Sequence, residues 1–469
     1  MRCTVLPGLR LRSGLLASMA ALLAASQTAC QRYERRPLDL DAHRGEFVSR
    51  LLQTPSAPVD GPTDATPPPG PFDASDGLSL DEAEIVALIY NADLRVARLE
   101  AGVAKATAEH TGRWDDPTIG VDVTRILQGG PNPWKVLTNI GLTLPISGRL
   151  RIEKERAGLE HAVAVARAAH LEWRTRIALR QAWASWSSLE TVAQGERRFI
   201  EQLEGVLLAI DAMERGNEIT RAEARLFRIE RVQAAASLAA TEAERRQIEL
   251  EILHLMGLAP TAAVSLHAQW PEIPDLESPP EQLADRSPAL LIARAEYDVA
   301  EKSLELEIRK QYPDLFVAPG YGREDGDDEA LLDMLAPIPI LNANKRGIAE
   351  ARAERELARA RAQGRLEQVM SLLAAAGERA RASSERRRLL ERESLPLADA
   401  QVDDARRMAE LGELDAMVLL ESLRRRTDAH RRAAEARLAE SRAALDYLEL
   451  AGDTPAVDTR PEPASRRTP

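Results

Sequence analysis

Apolar positions along this chain follow two rhythms, and the rhythms succeed each other in the same order twice. From Asp93 to Asp115 apolar residues recur at spacings of three and four, which predicts a helix of about 23 residues leading into Pro117. Thr118 to Leu127 then alternates strictly, with Ile119, Val121 and Val123 opposed to Gly120, Asp122 and Thr124. After the turn Gly129-Gly130-Pro131-Asn132-Pro133, Val136 to Ile146 alternates again, with Ile140, Leu142, Leu144 and Ile146 against Asn139, Gly141 and Thr143. Period-two alternation over about ten residues is what a transmembrane β-strand requires, one face toward lipid and one toward a lumen. The three-and-four spacing resumes from Arg149 to Arg215 and stops at Gly216. A helix of roughly 66 residues would reach about 100 Å and must pack laterally along its length.

The whole pattern then recurs at one constant offset. Asn91-Ala92-Asp93-Leu94 returns as Ser287-Pro288-Ala289-Leu290, Asp116-Pro117 as Tyr312-Pro313, and Gly216 as Gly412. The offset is far longer than a solenoid repeat of about 20–50 residues, so the chain is a duplicated half-molecule. In the second copy the strand segments read as Asp314–Arg323 and Leu331–Leu341 around an acidic turn at Glu324–Glu329. Asp333, Pro337 and Pro339 weaken the last strand. A second helical pattern of over about sixty residues ends at Gly412, and a return helix ends at Gly452.

The first return helix, Thr220–Met256, carries Ile229, Val232, Ala236, Ala239, Ala243, Leu250, Leu253 and Gly257 at heptad spacing, with Arg246 in one slot. This is expected to be its coiled-coil seam. End to end, Asp93–Asp115 and Thr220–Met256 span roughly 90 Å, enough for two shorter helices to flank one long one.

Composition agrees with thin helical packing. Aromatic residues are 4% of 469, whereas Ala, Leu, Glu and Arg dominate. A net charge of −12 argues against nucleic acid as a partner. The only cysteines are Cys3 and Cys30, and the seven histidines are scattered, so no metal site and no cofactor site is expected. No nucleophile motif or phosphate loop is present, and no enzymatic activity is expected. Trp173, Trp183 and Trp186 are expected to pack between helices, and Trp114 and Trp134 to mark a lipid–water boundary.

The N-terminus has the three parts of a secretory signal: Arg2, Arg10 and Arg12, the apolar run Leu15–Ala25, and small and polar residues up to Cys30. Ser26-Gln27-Thr28-Ala29-Cys30 resembles a lipoprotein cleavage box, departing from it at Gln27, and implies lipidation of Cys30. The other reading is ordinary cleavage near Ala25 or Ala29. The expected organisation is a signal over 1–29, a Pro-rich tether over 30–77, a first repeat over 78–257, a linker over 258–280, a second repeat over 281–452 and an unstructured tail over 453–469.

Four strands leave two unpaired edges, which lipid does not tolerate. Three chains would close them, supplying twelve strands and twelve helical columns. The expected fold is therefore mainly α with short β, a duplicated unit of coiled-coil helices and β-hairpins. As a homotrimer it would form an α-barrel continuing into a twelve-stranded transmembrane β-barrel.

The order of elements over Leu78–Gly452 resembles the TolC family of outer-membrane efflux channels. The residues that carry the resemblance are Leu78-Ser79-Leu80-Asp81-Glu82-Ala83, Leu144-Pro145-Ile146-Ser147-Gly148-Arg149 and the stretch Pro337–Gly347. The last is most like the heavy-metal cation efflux branch. The resemblance implies an outer-membrane duct that docks a periplasmic membrane-fusion adaptor and an inner-membrane pump of the resistance-nodulation-division (RND) type. It places the gate and adaptor contact at two helix tips, here Gly216, Asn217, Ile219 and Thr220, and Gly412, Glu413 and Leu414. Gly216 and Gly412 are expected to supply a permissive backbone conformation at the helix ends. Asp211, Glu218, Glu413 and Asp415 would form acidic rings in a trimer, or else are solvated tip charges. Alternatives are a duct for type I secretion or drug efflux, and a periplasmic coiled-coil scaffold without channel activity.

Overall fold

A computed structural model describes residues 33–50, 77–125, 127, 134–272, 283–324, 327–410 and 416–452. Cys30, the predicted signal and the predicted tail lie outside the described residues. The chain divides into two units, one ending at Ser49 and one beginning at Arg50. The first contains α1 (Leu40–Ser49), inside the segment expected to be an extended tether. Its apolar residues form no stripe and none is buried, so periodicity could not reveal it. Its start is marked by the Asp39 carboxylate, which accepts the Ala42 N–H at 2.9 Å.

In the second unit the first repeat comprises α2 (Leu80–Tyr90), α3 (Ala92–His110), β1 (Thr118–Arg125), β2 (Trp134–Leu144), α4 (Arg149–Arg215) and α5 (Arg221–Leu255). The second repeat comprises α6 (Leu283–Arg286), α7 (Pro288–Arg309), β3 (Leu315–Glu324), β4 (Asp327–Leu335), α8 (Lys345–Leu389), a π-helical turn (Leu390–Ser394), α9 (Leu395–Glu410) and α10 (Ala416–Ala451). The 67 residues of α4 are continuous between the expected ends. Gly148 at its start is left-handed, and Asn344, its counterpart before α8, adopts the same conformation. α3 stops at His110 instead of Asp115, because the Thr111 hydroxyl donates to the Thr107 carbonyl and Gly112 turns the chain at φ +79°.

The elements stand in four columns. α4 packs along α3 and α5 on one side and along α7 and α10 on the other, and α8 and α9 pack on α7 and α10. The sheet runs in the same order, β1-β2-β3-β4, all antiparallel, because each strand continues one column. The β2–β3 pairing joins the two repeats.

The column centre is a cluster of Leu80, Val86, Leu179, Trp183, Trp186, Ile252 and Met256. Trp183 is 0% exposed, and its indole N–H donates to the His267 carbonyl at 3.1 Å. The described part of the inter-repeat linker is therefore a strap and not a loose connection. Leu266 pairs with Leu78, and Arg437 of α10 stacks 4.5 Å over Trp270. Trp173, Trp183 and Trp186 are all buried, in the packing role expected of them.

The structure differs from the sequence reading in three further places. The second long helix is interrupted: Pro396 has no N–H to offer Arg392, and the chain takes a π turn in which the Leu395 N–H bonds the Leu390 carbonyl. β4 begins at Asp327 and ends at Leu335, so Asp327, Asp328 and Glu329 of the expected turn are strand, and the prolines at 337 and 339 follow the sheet. The heptad positions Ile229, Val232, Ala236, Ala239, Ala243 and Leu250 are exposed. The α5 face packed on α4 instead carries Phe227, Ala234, Thr241 and Ile252, almost opposite on the helix. One heptad repeat can point either way, and α5 carries two.

Candidate functional site

The strand register sorts the sheet into two faces of opposite chemistry. Ile119 pairs with Ile140, Val123 with Val136, Leu142 with Val317, and Val317 with Met334. One face therefore displays Ile119, Val121, Val123, Val136, Ile140, Leu142, Val317, Tyr321, Leu332 and Met334. Most of these side chains are exposed; Ile119 is 62% and Leu332 62% accessible. An apolar sheet face of this extent in contact with water is unfavourable by about 25 cal/mol per Å².

The opposite face carries Thr118, Asp122, Thr124, Lys135, Asn139, Thr143, Glu329 and Asp333, with Leu137, Phe316, Leu331 and Leu335 among them. Asp333, which looked like a defect in the alternation, belongs to this polar side. Lys135 reaches past Gly322 to Glu329, with Nζ 3.0 Å from the carboxylate. Four glycines line this face, and side chains lie over their positions: a Cβ on Gly120 would meet Asn139 Oδ1 at 2.2 Å, and one on Gly141 would meet Phe316 Cζ at 2.6 Å. Gly320 and Gly322 are similarly close to the neighbouring strand.

Trp134 and Tyr321 stand toward the hairpin end of the apolar face, and the Arg125 guanidinium lies 5.5 Å from the Trp134 ring. Trp114 and Tyr312, both exposed, precede β1 and β3 at the other end. Aromatic residues thus flank the apolar band on both sides, as at a lipid–water boundary. The strand lengths of 8, 11, 10 and 9 residues lie near the roughly 9–11 that cross a bilayer when tilted.

At the far end of the columns, α4 and α5 meet in a tip whose backbone is fully accounted for. Asn217 N–H bonds Glu214 O at 3.2 Å and Glu218 N–H bonds Met213 O at 2.9 Å, a Schellman closure. The left-handed residue is Asn217, at φ 57°, whereas Gly216 has an ordinary φ of −76°. The permissive role expected of Gly216 therefore falls to Asn217. Thr220 starts α5 with a reciprocal cap, its hydroxyl accepting Glu223 N–H at 3.2 Å and the Glu223 carboxylate accepting Thr220 N–H at 2.8 Å. Ile219 is half-buried against a cluster of Phe199, Leu203, Ile210, Phe227, Leu420 and Leu423.

Arg228 of α5 holds Asp211 at 2.7 Å and Glu214 at 2.6 Å. These hydrogen bonds, that to Asp211 first, raise the affinity of the Arg228 guanidinium for its proton. Asp211 is thus compensated within its own chain, while the exposed Glu218 makes no ion pair among the described residues. Arg228 is invisible to a sequence reading because its partners become neighbours only when the hairpin closes. Gly412, Glu413, Leu414 and Asp415 lie outside the described residues.

Between α4 and α10 near the tip lies an open apolar groove of about 380 Å³, lined by Val206, Ile210, Met213, Leu419 and Leu423. Above it, Glu196 is 3% exposed and accepts from Arg431 of α10 and, at 2.6 Å, from Ser237 of α5, tying three helices together. Among the described residues no group of His, Cys, Asp and Glu could hold a metal ion. No described helix is long and apolar enough to cross a membrane.

Comparison with known proteins adds the fold's company. No family model matches the chain, and no curated protein matches it. Among solved structures it is similar to the outer-membrane channel OprN, with a TM-score of 0.68 at 17% identity over 84% of this chain and 98% of that one. It is also similar to CusC, studied for folding and transmembrane channel formation, with a TM-score of 0.67 at 13% identity over 84% and 97%. The open-state MtrE outer-membrane channel of Neisseria gonorrhoeae gives 0.64 at 17% identity over 80% and 89%. The chain has the fold of these channels.

Proposed function

We propose that this chain is one protomer of a homotrimeric exit duct in the bacterial outer membrane, serving a tripartite efflux system. The observation that carries the reading is the four-stranded sheet with one mostly apolar face, one face that carries most of the polar side chains and, among the described residues, outer edges on β1 and β4 that no strand pairs. Three copies would supply twelve strands, turning the apolar face to lipid and the polar face to a water-filled bore. The helical columns would extend that bore into the periplasm. There the tip around Asn217, Ile219 and Thr220, with its second-repeat counterpart at Gly412–Leu414, would receive a membrane-fusion adaptor and, through it, an RND-type pump. The bordering apolar groove suits an amphipathic helix.

Export through a signal over 1–29 and lipid attachment at Cys30 complete the proposal. Metal cations are the proposed cargo, on the strength of the stretch Pro337–Gly347. An acidic constriction would draw on Glu218, Glu413 and Asp415, with Asp211 already paired to Arg228. A soluble scaffold is disfavoured by the exposed apolar band.

The test is conductance. Purified protein inserted in a planar bilayer should give discrete ion-conducting steps and fractionate with outer membranes. A species that washes off membranes and conducts nothing would refute the duct.

A further inference from the structure

The groove between α4 and α10 is apolar along its walls and basic at its rim. Val206, Ile210 and Met213 face Leu419 and Leu423, while Gln202 of α4 and Arg406 of α9 also line it. Arg426, one turn beyond Leu423 on α10, donates from its guanidinium to Gln202 Oε1 and so stands at the same opening. Arg198 lies one turn before Gln202 on α4. Burial first, then Arg406 and more weakly Arg198, depress the affinity of the Arg426 guanidinium for its proton, against the opposing pull of Asp399 and Asp403. Three helices thus bring three guanidiniums to one groove.

The chain does not neutralise them as it neutralises their neighbours. Arg424 and Arg425, which precede Arg426 in one basic run, are each tied to a carboxylate, Glu230 at 3.2 Å and Glu421 at 2.7 Å. Arg426 and Arg198 make no ion pair among the described residues, and Arg406 has only Asp403, at 3.8 Å. Asp399 is drawn aside by His430 at 3.6 Å. A partly buried cation that faces two others and lacks a carboxylate is relieved by an incoming anion.

We propose that this groove binds a single-chain anionic amphiphile, its carboxylate or sulfate head held among Arg426, Arg198 and Arg406 and its alkyl tail laid along Val206, Ile210 and Leu419. Guanidinium forks donate to two oxygens of such a head at once. The volume of about 380 Å³ falls among small-molecule sites, which run from about 300 to 1,000 Å³. From Gln202 to Met213 α4 rises about 16 Å, a length that an extended tail of about twelve carbons fills. Met213 at the far end is an adaptable wall for tails of differing length. A seated amphiphile and the amphipathic helix proposed above would compete for the same apolar strip. The site is complete in one chain and does not depend on closure of a duct.

The test is photolabelling of the full-length protein in non-ionic detergent by dodecanoate carrying a terminal diazirine, mapped by peptide mass spectrometry, with circular dichroism for helical content. Label should concentrate on residues 202–213 and 416–423. Dodecanoate should displace it at about a tenth of the concentration needed of dodecanol, because only the acid makes charge-assisted bonds. Arg198→Gln combined with Arg426→Gln should lower labelling about tenfold with the helical signal kept. Gly205→Phe should abolish it, since Gly205 lines the groove and a Cβ there meets nothing within 4 Å in the chain itself. Label spread evenly over the helices, or equal displacement by dodecanol, would overturn the proposal. So would labelling that neither variant changes. A protein that labels as expected but conducts nothing would refute the duct and leave this site standing.

Discussion

The two repeats reach the same backbone circuit with different interiors. In the first, α4 runs unbroken for 67 residues and its middle is filled by Trp173, Trp183 and Trp186. In the second, the corresponding path is 45 residues of α8, a π turn of 5 and 16 residues of α9, with Val369, Arg379 and Ala382 at the positions where the first has its indoles. What the halves share is backbone geometry. Gly257 and Gly452 end the return helices at φ +69° and +72°, and a Cβ on either would sit 2.2 Å from a carbonyl oxygen, that of Tyr90 or of Arg286. Close approach of chain to chain is common to both halves, while the filling of the space between columns is free to differ.

Substitutions can press on that contrast. The largest effect is expected from Trp183→Ala, which should cost about 4 kcal/mol because it empties a fully buried site linking α4 to the strap. No single second-repeat position in α8 should cost as much, and chemical denaturation of the two sets of variants would show it. Gly257→Ala and Gly452→Ala should each cost about 3 kcal/mol, and nearly equally, since both combine a left-handed backbone with a carbonyl clash. A large inequality in their unfolding midpoints would mean that the shared backbone constraint is not the common element.

Pro396→Ala should stabilise by about 1 kcal/mol by restoring an N–H to the helix, and should lower amide exchange over Leu390–Ser394. An unchanged exchange pattern would show that the π turn has another cause. The smallest effects belong to the first tip. Gly216→Ala should change stability by less than about 0.5 kcal/mol, because its conformation is ordinary and its Cβ contacts are no closer than 3.5 Å. Asn217→Ala should cost about 1 kcal/mol through its left-handed backbone.

Sequence spacing revealed the architecture where chain breaks and rhythm coincide. Arg149–Arg215 was legible to the residue because Gly148 and Gly216 bracket an uninterrupted pattern. β1 and β2 were legible because their polar and apolar positions alternate cleanly. β4 was not, since Asp327, Asp328 and Glu329 look like a turn until pairing with β3 places Asp333 on the polar face and Met334 on the apolar one. The packed face of α5 was misread for a related reason: periodicity reveals a stripe but not what lies against it. The Arg228 clamp and the Glu196 tie depend on partners distant in sequence, and no local pattern encodes them.

The four glycines on the polar side of the sheet have a mechanical consequence. Curling a sheet shortens its inner surface relative to its outer one, and side chains on the inside are what resist. Gly120, Gly141, Gly320 and Gly322 contribute none, and the space they leave is taken by side chains of neighbouring strands, Asn139 over Gly120 and Phe316 over Gly141. In the duct proposed above, bulk introduced at any of the four would have to displace those neighbours and would stiffen the wall.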